Sequence, residues 1–170
     1  SDPLRIAEGF NLGAAGHDIL IVGTNLFIIT EDSGQEVRIY DIETPSSFNT
    51  GNFVASINVP GNAKARAFAY YDDTLYVTAA EDTGESEIYS YDVSDLGSIS
   101  QLDDLNDPGS SFLDIRLLNG YAYLGSSMDT MELRVVDVFD PSDLEFAAGG
   151  GYNLTDTTDA TSIAALGDYI

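Results

Sequence analysis

A hydrophobic pattern that recurs about every 48 residues limits what this 170-residue chain can fold into more than any other feature. Its clearest copy runs from Asn119 to Asp143, N-G-Y-A-Y-L-G-S-S-M-D-T-M-E-L-R-V-V-D-V-F-D-P-S-D. Two short runs inside it, Tyr121 to Gly125 and Glu132 to Val138, are aromatic or β-branched and bounded by turn residues, which predicts strands and not helices. Ser126 to Met131 has the length of a loose hairpin connection. Asp140-Pro141 then ends the second strand, because proline donates no ladder hydrogen bond and Asp accepts one from nearby amides.

The same order of features repeats along the chain. The first unit predicts strands over Asp18–Gly23, Leu26–Ile29 and Glu36–Asp41, a turn around Thr44-Pro45-Ser46, and a fourth strand near Phe53–Asn58. The second predicts strands over Arg66–Tyr71, Leu75–Thr78 and Glu87–Asp92. The third adds Leu113–Leu118 before the opening stretch and a weak fourth strand near Leu144–Ala147. Leu26, Leu75, Ala122 and Ile170 are equivalent, at spacings of 49, 47 and 48. Glu36, Glu87 and Glu132 each open a strand that ends five residues later, at Asp41, Asp92 and Asp137. The two ends of the chain also match, Gly9-Phe10-Asn11-Leu12 against Gly151-Tyr152-Asn153-Leu154, 142 residues apart.

Four strands per unit, this period and polar turns predict an all-β chain of four-stranded antiparallel β-propeller blades, about 3.5 of them. The units are approximately 13–60, 61–107, 108–150 and a partial 151–170, with 1–12 as the end of a preceding blade. Asp2-Pro3 reads as that blade's closing turn, followed by a short strand over Leu4–Ala7. A ring typically needs four to eight blades, so the expectation is completion by a longer chain or by self-association. Ile19, Phe68, Ile115 and Ile163 occupy equivalent first-strand positions and are expected to be buried between blades.

The segments Y-A-Y-L-G…E-L-R-V-V-D-V-F-D-P and L-F-I-I-T…E-V-R-I-Y-D-I resemble the LVIVD repeat, a β-propeller blade unit of exported and cell-surface proteins of bacteria and archaea. The resemblance covers nearly the whole chain and is best in the third unit. The second unit departs from it, with Tyr89-Ser90-Tyr91 in the aliphatic strand and Asp95-Leu96-Gly97 in place of Asp-Pro. The resemblance implies export to an extracellular or cell-surface location and a non-enzymatic or unknown role, and it assigns no catalytic residues.

Charge narrows the partners. Asp and Glu number 29 against 6 Lys and Arg, a formal net charge of −23, with Lys64 the one lysine. Such a surface repels phosphate backbones and anionic lipid, so nucleic acid is excluded as a natural partner, and no apolar run is long enough for membrane insertion. High charge with little lysine fits a halophilic or marine setting, where salt screens self-repulsion. The chain has no cysteine, hence no disulfide or thiolate chemistry.

Three acidic loops occupy the same connection in their units. Their carboxylates, Asp32 and Glu36, Asp82 and Glu85, Asp129 and Glu132, are candidate ligands for Ca²⁺, the one cofactor the sequence admits; the alternative is hairpin chemistry, since none follows the twelve-residue calcium loop. Asp41, Asp92 and Asp137 read as turn-stabilising residues, and Arg38 and Arg134 as partners of nearby carboxylates. His17 is the sole histidine and has no nucleophile to serve. Asn153-Leu154-Thr155 is a glycosylation sequon. Tyr70, Tyr71, Tyr76, Tyr121 and Tyr123 suit a blade core, with one or two free to line a sugar- or peptide-binding face. No residue stands out as catalytic. The functional expectation is a binding or structural module for a protein or carbohydrate ligand. The alternative is a metal-dependent, lactonase-like propeller hydrolase with an axial metal site.

Overall fold

A computed structural model describes residues 11–44, 49–62, 64–81, 83–154 and 158–165. These form three four-stranded antiparallel sheets, each built from consecutive strands. The first contains β1 (Gly16–Val22), β2 (Asn25–Thr30), β3 (Val37–Asp41) and β4 (Phe53–Ile57). The second contains β5 (Ala65–Tyr71), β6 (Thr74–Ala79), β7 (Ile88–Asp92) and β8 (Ser100–Leu105). The third contains β9 (Phe112–Leu118), β10 (Tyr121–Ser126), β11 (Leu133–Asp137) and β12 (Glu145–Tyr152). The architecture is all-β, about three propeller-like blades that do not close into a ring.

Each first hairpin is pinned by a tight turn. Val22 pairs with Asn25, Tyr71 with Thr74 and Leu118 with Tyr121, leaving two residues at each tip. Asp72 and Asp73 have φ of 47° and 61°, and Asn119 and Gly120 of 53° and 79°. Two left-handed residues in a row match the twist of the flanking strands, and Asn-Gly adopts them with little strain.

Alternation along the strands decides which sheets meet. Phe68, Leu75, Val77, Tyr89 and Tyr91 pack with Phe27, Ile29, Val37 and Ile39 in a cluster between the first and second sheets. The opposite parity, Ala67, Tyr76 and Ile88, packs with Ile115, Ala122, Leu124 and Val136 between the second and third. The second sheet is covered on both sides, and β6 is buried at every position.

The expected first-strand core holds at Phe68, Ile115 and Ile163, which are 4%, 0% and 7% exposed. Ile19 is a correction, because it is 67% exposed. It and Ile21 lie on the side of the first sheet turned away from the second and belong to neither cluster.

Two strands differ from the sequence reading. β8, S-Q-L-D-D-L, lacks a hydrophobic signature because it lies at the sheet edge, and its partner Tyr89-Ser90-Tyr91 supplies the pairing through Asp103, Asp104 and Gln101. β12 runs eight residues where four were expected, through a glycine-rich stretch that carries no strand signal. Residues 158–165 carry no regular strand, although Ile163 is buried with its amide donating to Asp114 Oδ2 at 2.8 Å. The expectations for Asp2-Pro3, Leu4–Ala7, Pro45-Ser46 and 166–170 fall outside the described residues.

Candidate functional site

The recurring glutamates are interior hydrogen-bond acceptors. Glu36, Glu87 and Glu132 are 2%, 1% and 0% exposed, at the entry to the third strand of each sheet. Glu36 Oε2 accepts from the Val59 amide at 3.2 Å, Glu87 Oε2 from the Asp107 amide at 2.6 Å, and Glu132 Oε2 from the Leu154 amide at 2.7 Å. Each donor lies just beyond the fourth strand of the same sheet. One carboxylate therefore ties the third strand to the exit of the blade, three times over. Burial raises the pKa of Glu87, with the Asp107 amide opposing the shift.

The remaining calcium candidates are dispersed. Asp32 pairs with Arg38, which also donates to the Leu12 carbonyl at 2.5 Å. Glu85 is half-buried and its carbonyl accepts from Asn106 at 2.5 Å, while Asp129 is exposed. Asp82 lies outside the described residues. Among the described residues no three of His, Asp and Glu gather where a metal ion would fit.

The turn aspartates behave alike. Asp41, Asp92 and Asp137 accept from the amides of Glu43, Ser94 and Phe139 at 2.8, 2.9 and 3.0 Å. Arg134 pairs with Asp107 at 2.9 Å and lies 3.9 Å over the Phe146 ring. His17 Nε2 contacts Glu31 Oε1 at 3.0 Å near the surface. Asn153 is exposed, while Thr155 of its sequon is outside the described residues.

A site of another kind lies between the second and third sheets. A cleft of about 720 Å³ is lined by Tyr71 and Tyr76 from one sheet and by Leu117, Leu118, Asn119, Gly120, Val138 and Phe139 from the other. That volume is within the usual range of ligand pockets. Tyr71 and Phe139 are 70% and 71% exposed at its mouth. The repeat does not require either ring. The positions equivalent to Tyr71 hold Val22 and Leu118, and those equivalent to Phe139 hold Glu43 and Ser94.

Phe139 is held in place despite its exposure. Its ring meets Tyr121 edge-on at 5.6 Å and packs against Gly120, where a Cβ would collide with it. The loop that carries it is tied to the second sheet at three points. Tyr76 Oη donates to the Val138 carbonyl at 3.4 Å, Ser90 Oγ to the Pro141 carbonyl at 2.6 Å, and the Leu144 amide to Asp103 Oδ2 at 2.6 Å. Burial, with the nearby Asp140 charge, pushes the Tyr76 hydroxyl up to about 12, so it stays neutral. The sequence reading named Tyr71 but missed Phe139. Aligning the units would have found it, since a bulky apolar residue stands where the others are polar.

Comparison with known proteins bears on the fold alone. No family model matches the chain. No curated protein matches it either. Among solved structures, the computationally designed Ika4 protein is 14% identical, with a TM-score of 0.60 over 87% of this chain and 81% of its own. The computationally designed Ika8 protein is 16% identical, with a TM-score of 0.52 over 74% of this chain and 34% of its own. Bacteroides ovatus Xyloglucan PUL GH43B is 16% identical over 84% of this chain and 32% of its own; its TM-score of 0.47 is too low to argue a relationship. The chain thus spans about a third of the length of Ika8.

The cleft offers aromatic faces, an apolar floor and few hydrogen-bonding groups. Its lining includes no Lys, Arg, Asp or Glu. That inventory suits binding by contact and stacking.

Proposed function

We propose that this chain is a non-enzymatic binding module of LVIVD-type propeller blades that works outside the cytoplasm and takes its ligand in the cleft between the second and third sheets. The observation that carries the reading is the pair Tyr71 and Phe139, two exposed rings that line one cleft at positions where the other units hold Val22, Leu118, Glu43 and Ser94. Large aromatic side chains left in water on a fixed frame are a common mark of a contact surface. The acidic composition and the resemblance to exported blade proteins support the location. The test is to map amide chemical shifts of the isotope-labelled chain against short peptides and oligosaccharides. Perturbations are expected to gather at Tyr71, Asn119, Gly120 and Phe139. Perturbations gathered around Tyr123 and Val135, on the open face of the third sheet, would overturn the assignment.

A further inference from the structure

We infer that the cleft receives arginine side chains from an extended segment of a partner protein, an assignment that rests on the cleft being the binding site. The cleft has an apolar floor, Leu117, Leu118 and Val138, under two exposed rings. Arginine carries an aliphatic stem that covers such a floor and a weakly hydrated planar head that stacks on aromatic faces.

The charged residues next to the two exposed rings in the chain are acidic, while Arg116, which precedes Leu117, is paired with Asp114. Asp72 follows Tyr71 in the chain and Asp140 follows Phe139, and both are exposed. Bonds from the Ser142 hydroxyl and amide hold Asp140 below its ordinary value, so it is anionic at neutral pH. The described arginines with carboxylate partners, Arg38, Arg116 and Arg134, face Asp32, Asp114 and Asp107, and none lines the cleft. A cation entering here meets ring faces and unneutralised carboxylates within a molecule of net charge −23.

A neutral saccharide fits less well. Sugar hydroxyls need several convergent donors and acceptors, and the lining supplies the Asn119 amide and the Tyr71 hydroxyl, while the Tyr76 hydroxyl is engaged with Val138. Anionic ligands are repelled by the surrounding carboxylates.

The experiment titrates the chain with a fluorescent Leu-Arg-Leu-Arg-Leu-Arg peptide, the same peptide with citrulline for arginine, and cellohexaose. Citrulline keeps the shape and removes the charge. The arginine peptide is expected to bind at least about tenfold tighter than its citrulline form, and Tyr71→Ala and Phe139→Ala are each expected to weaken it by about tenfold at unchanged net charge. Asp72→Asn and Asp140→Asn should weaken it less and reduce its salt dependence. Melting curves report whether each variant is folded. If both peptides bind equally and both lose affinity in Tyr71→Ala, the cleft is the site and the arginine assignment is wrong. Cellohexaose binding lost in Phe139→Ala has the same meaning. If the arginine peptide binds but neither ring matters, attachment is diffuse charge and both readings fall. No binding by any probe also overturns the arginine assignment.

Discussion

Ile19, Phe68 and Ile115 stand at the same place in the first strands of successive sheets, yet they are 67%, 4% and 0% exposed. Their chemistry is nearly the same, and so is their local structure. The difference is the neighbour. Phe68 faces the first sheet and Ile115 faces the second, whereas the equivalent side of the first sheet meets neither cluster. Burial in a repeat architecture is a property of the interface between units, and the first sheet shows what a blade exposes on a side that meets neither cluster of the described residues.

The largest test of that comparison is a pair of truncations. Ile115→Ala removes a fully buried side chain and is expected to cost about 2–5 kcal/mol in urea unfolding. Ile19→Ala should cost less than about 1 kcal/mol, because most of that side chain is already in water. Equal losses would mean that the first sheet's outer side is as well packed as the inner ones.

The repeated glutamates sharpen the same contrast. Glu36→Ala would strand the amide of Val59, which is fully buried, and should cost about 1–3 kcal/mol. Glu132→Ala frees the amide of Leu154, a residue 47% exposed, so water can replace the lost acceptor and the penalty should be smaller. Reversal of that order in paired denaturation curves would show that the carboxylates do not act through these amides.

Acidity separates the buried carboxylates of the second blade from the exposed ones. Burial raises Glu87 above its ordinary 4.5 and Asp107 above its ordinary 3.8, with the Arg134 charge opposing the latter. A raised carboxylate favours the protonated fold, so this part of the stability is full below the ordinary value and is lost as pH rises through the raised one. Asp92 and Asp140, lowered by Ser94 and Ser142, contribute above their ordinary 3.8 and lose it as pH falls through the lowered value. Melting temperature is therefore expected to rise as pH falls from neutrality towards the ordinary Glu87 value of 4.5, and Glu87→Gln should flatten that rise. A steady fall over the same range would contradict the assignment.

The smallest expected effect concerns the surface as a whole. Screening the −23 charge with molar sodium chloride should raise the melting temperature by a few degrees. Flat curves from low to molar salt would remove self-repulsion as a factor. Calcium that stabilises no more than magnesium at equal ionic strength would remove the case for specific sites at Asp32, Asp129 and their neighbours.

Most strands were legible in the sequence, because each of these carries its own hydrophobic pattern and its own bounding turn. The Asp41, Asp92 and Asp137 turns were legible too, since an aspartate accepting from an amide two residues on is a local event. β8 was not legible, because an exposed edge strand needs no apolar side chains and takes its conformation from the strand beside it. The role of Glu36, Glu87 and Glu132 was also hidden. Their spacing is visible, but their acceptor bonds reach amides 20 to 23 residues away, a distance no local pattern records. The cleft depended most on tertiary structure. Tyr71 and Phe139 are 68 positions apart in sequence, and they line one cleft because the face of the second sheet carrying Ala67, Tyr76 and Ile88 packs on the third. Period, strand alternation and turn chemistry follow from neighbours along the chain. Which face is covered, which carboxylate is buried and which rings share a cleft follow from how one sheet packs on the next.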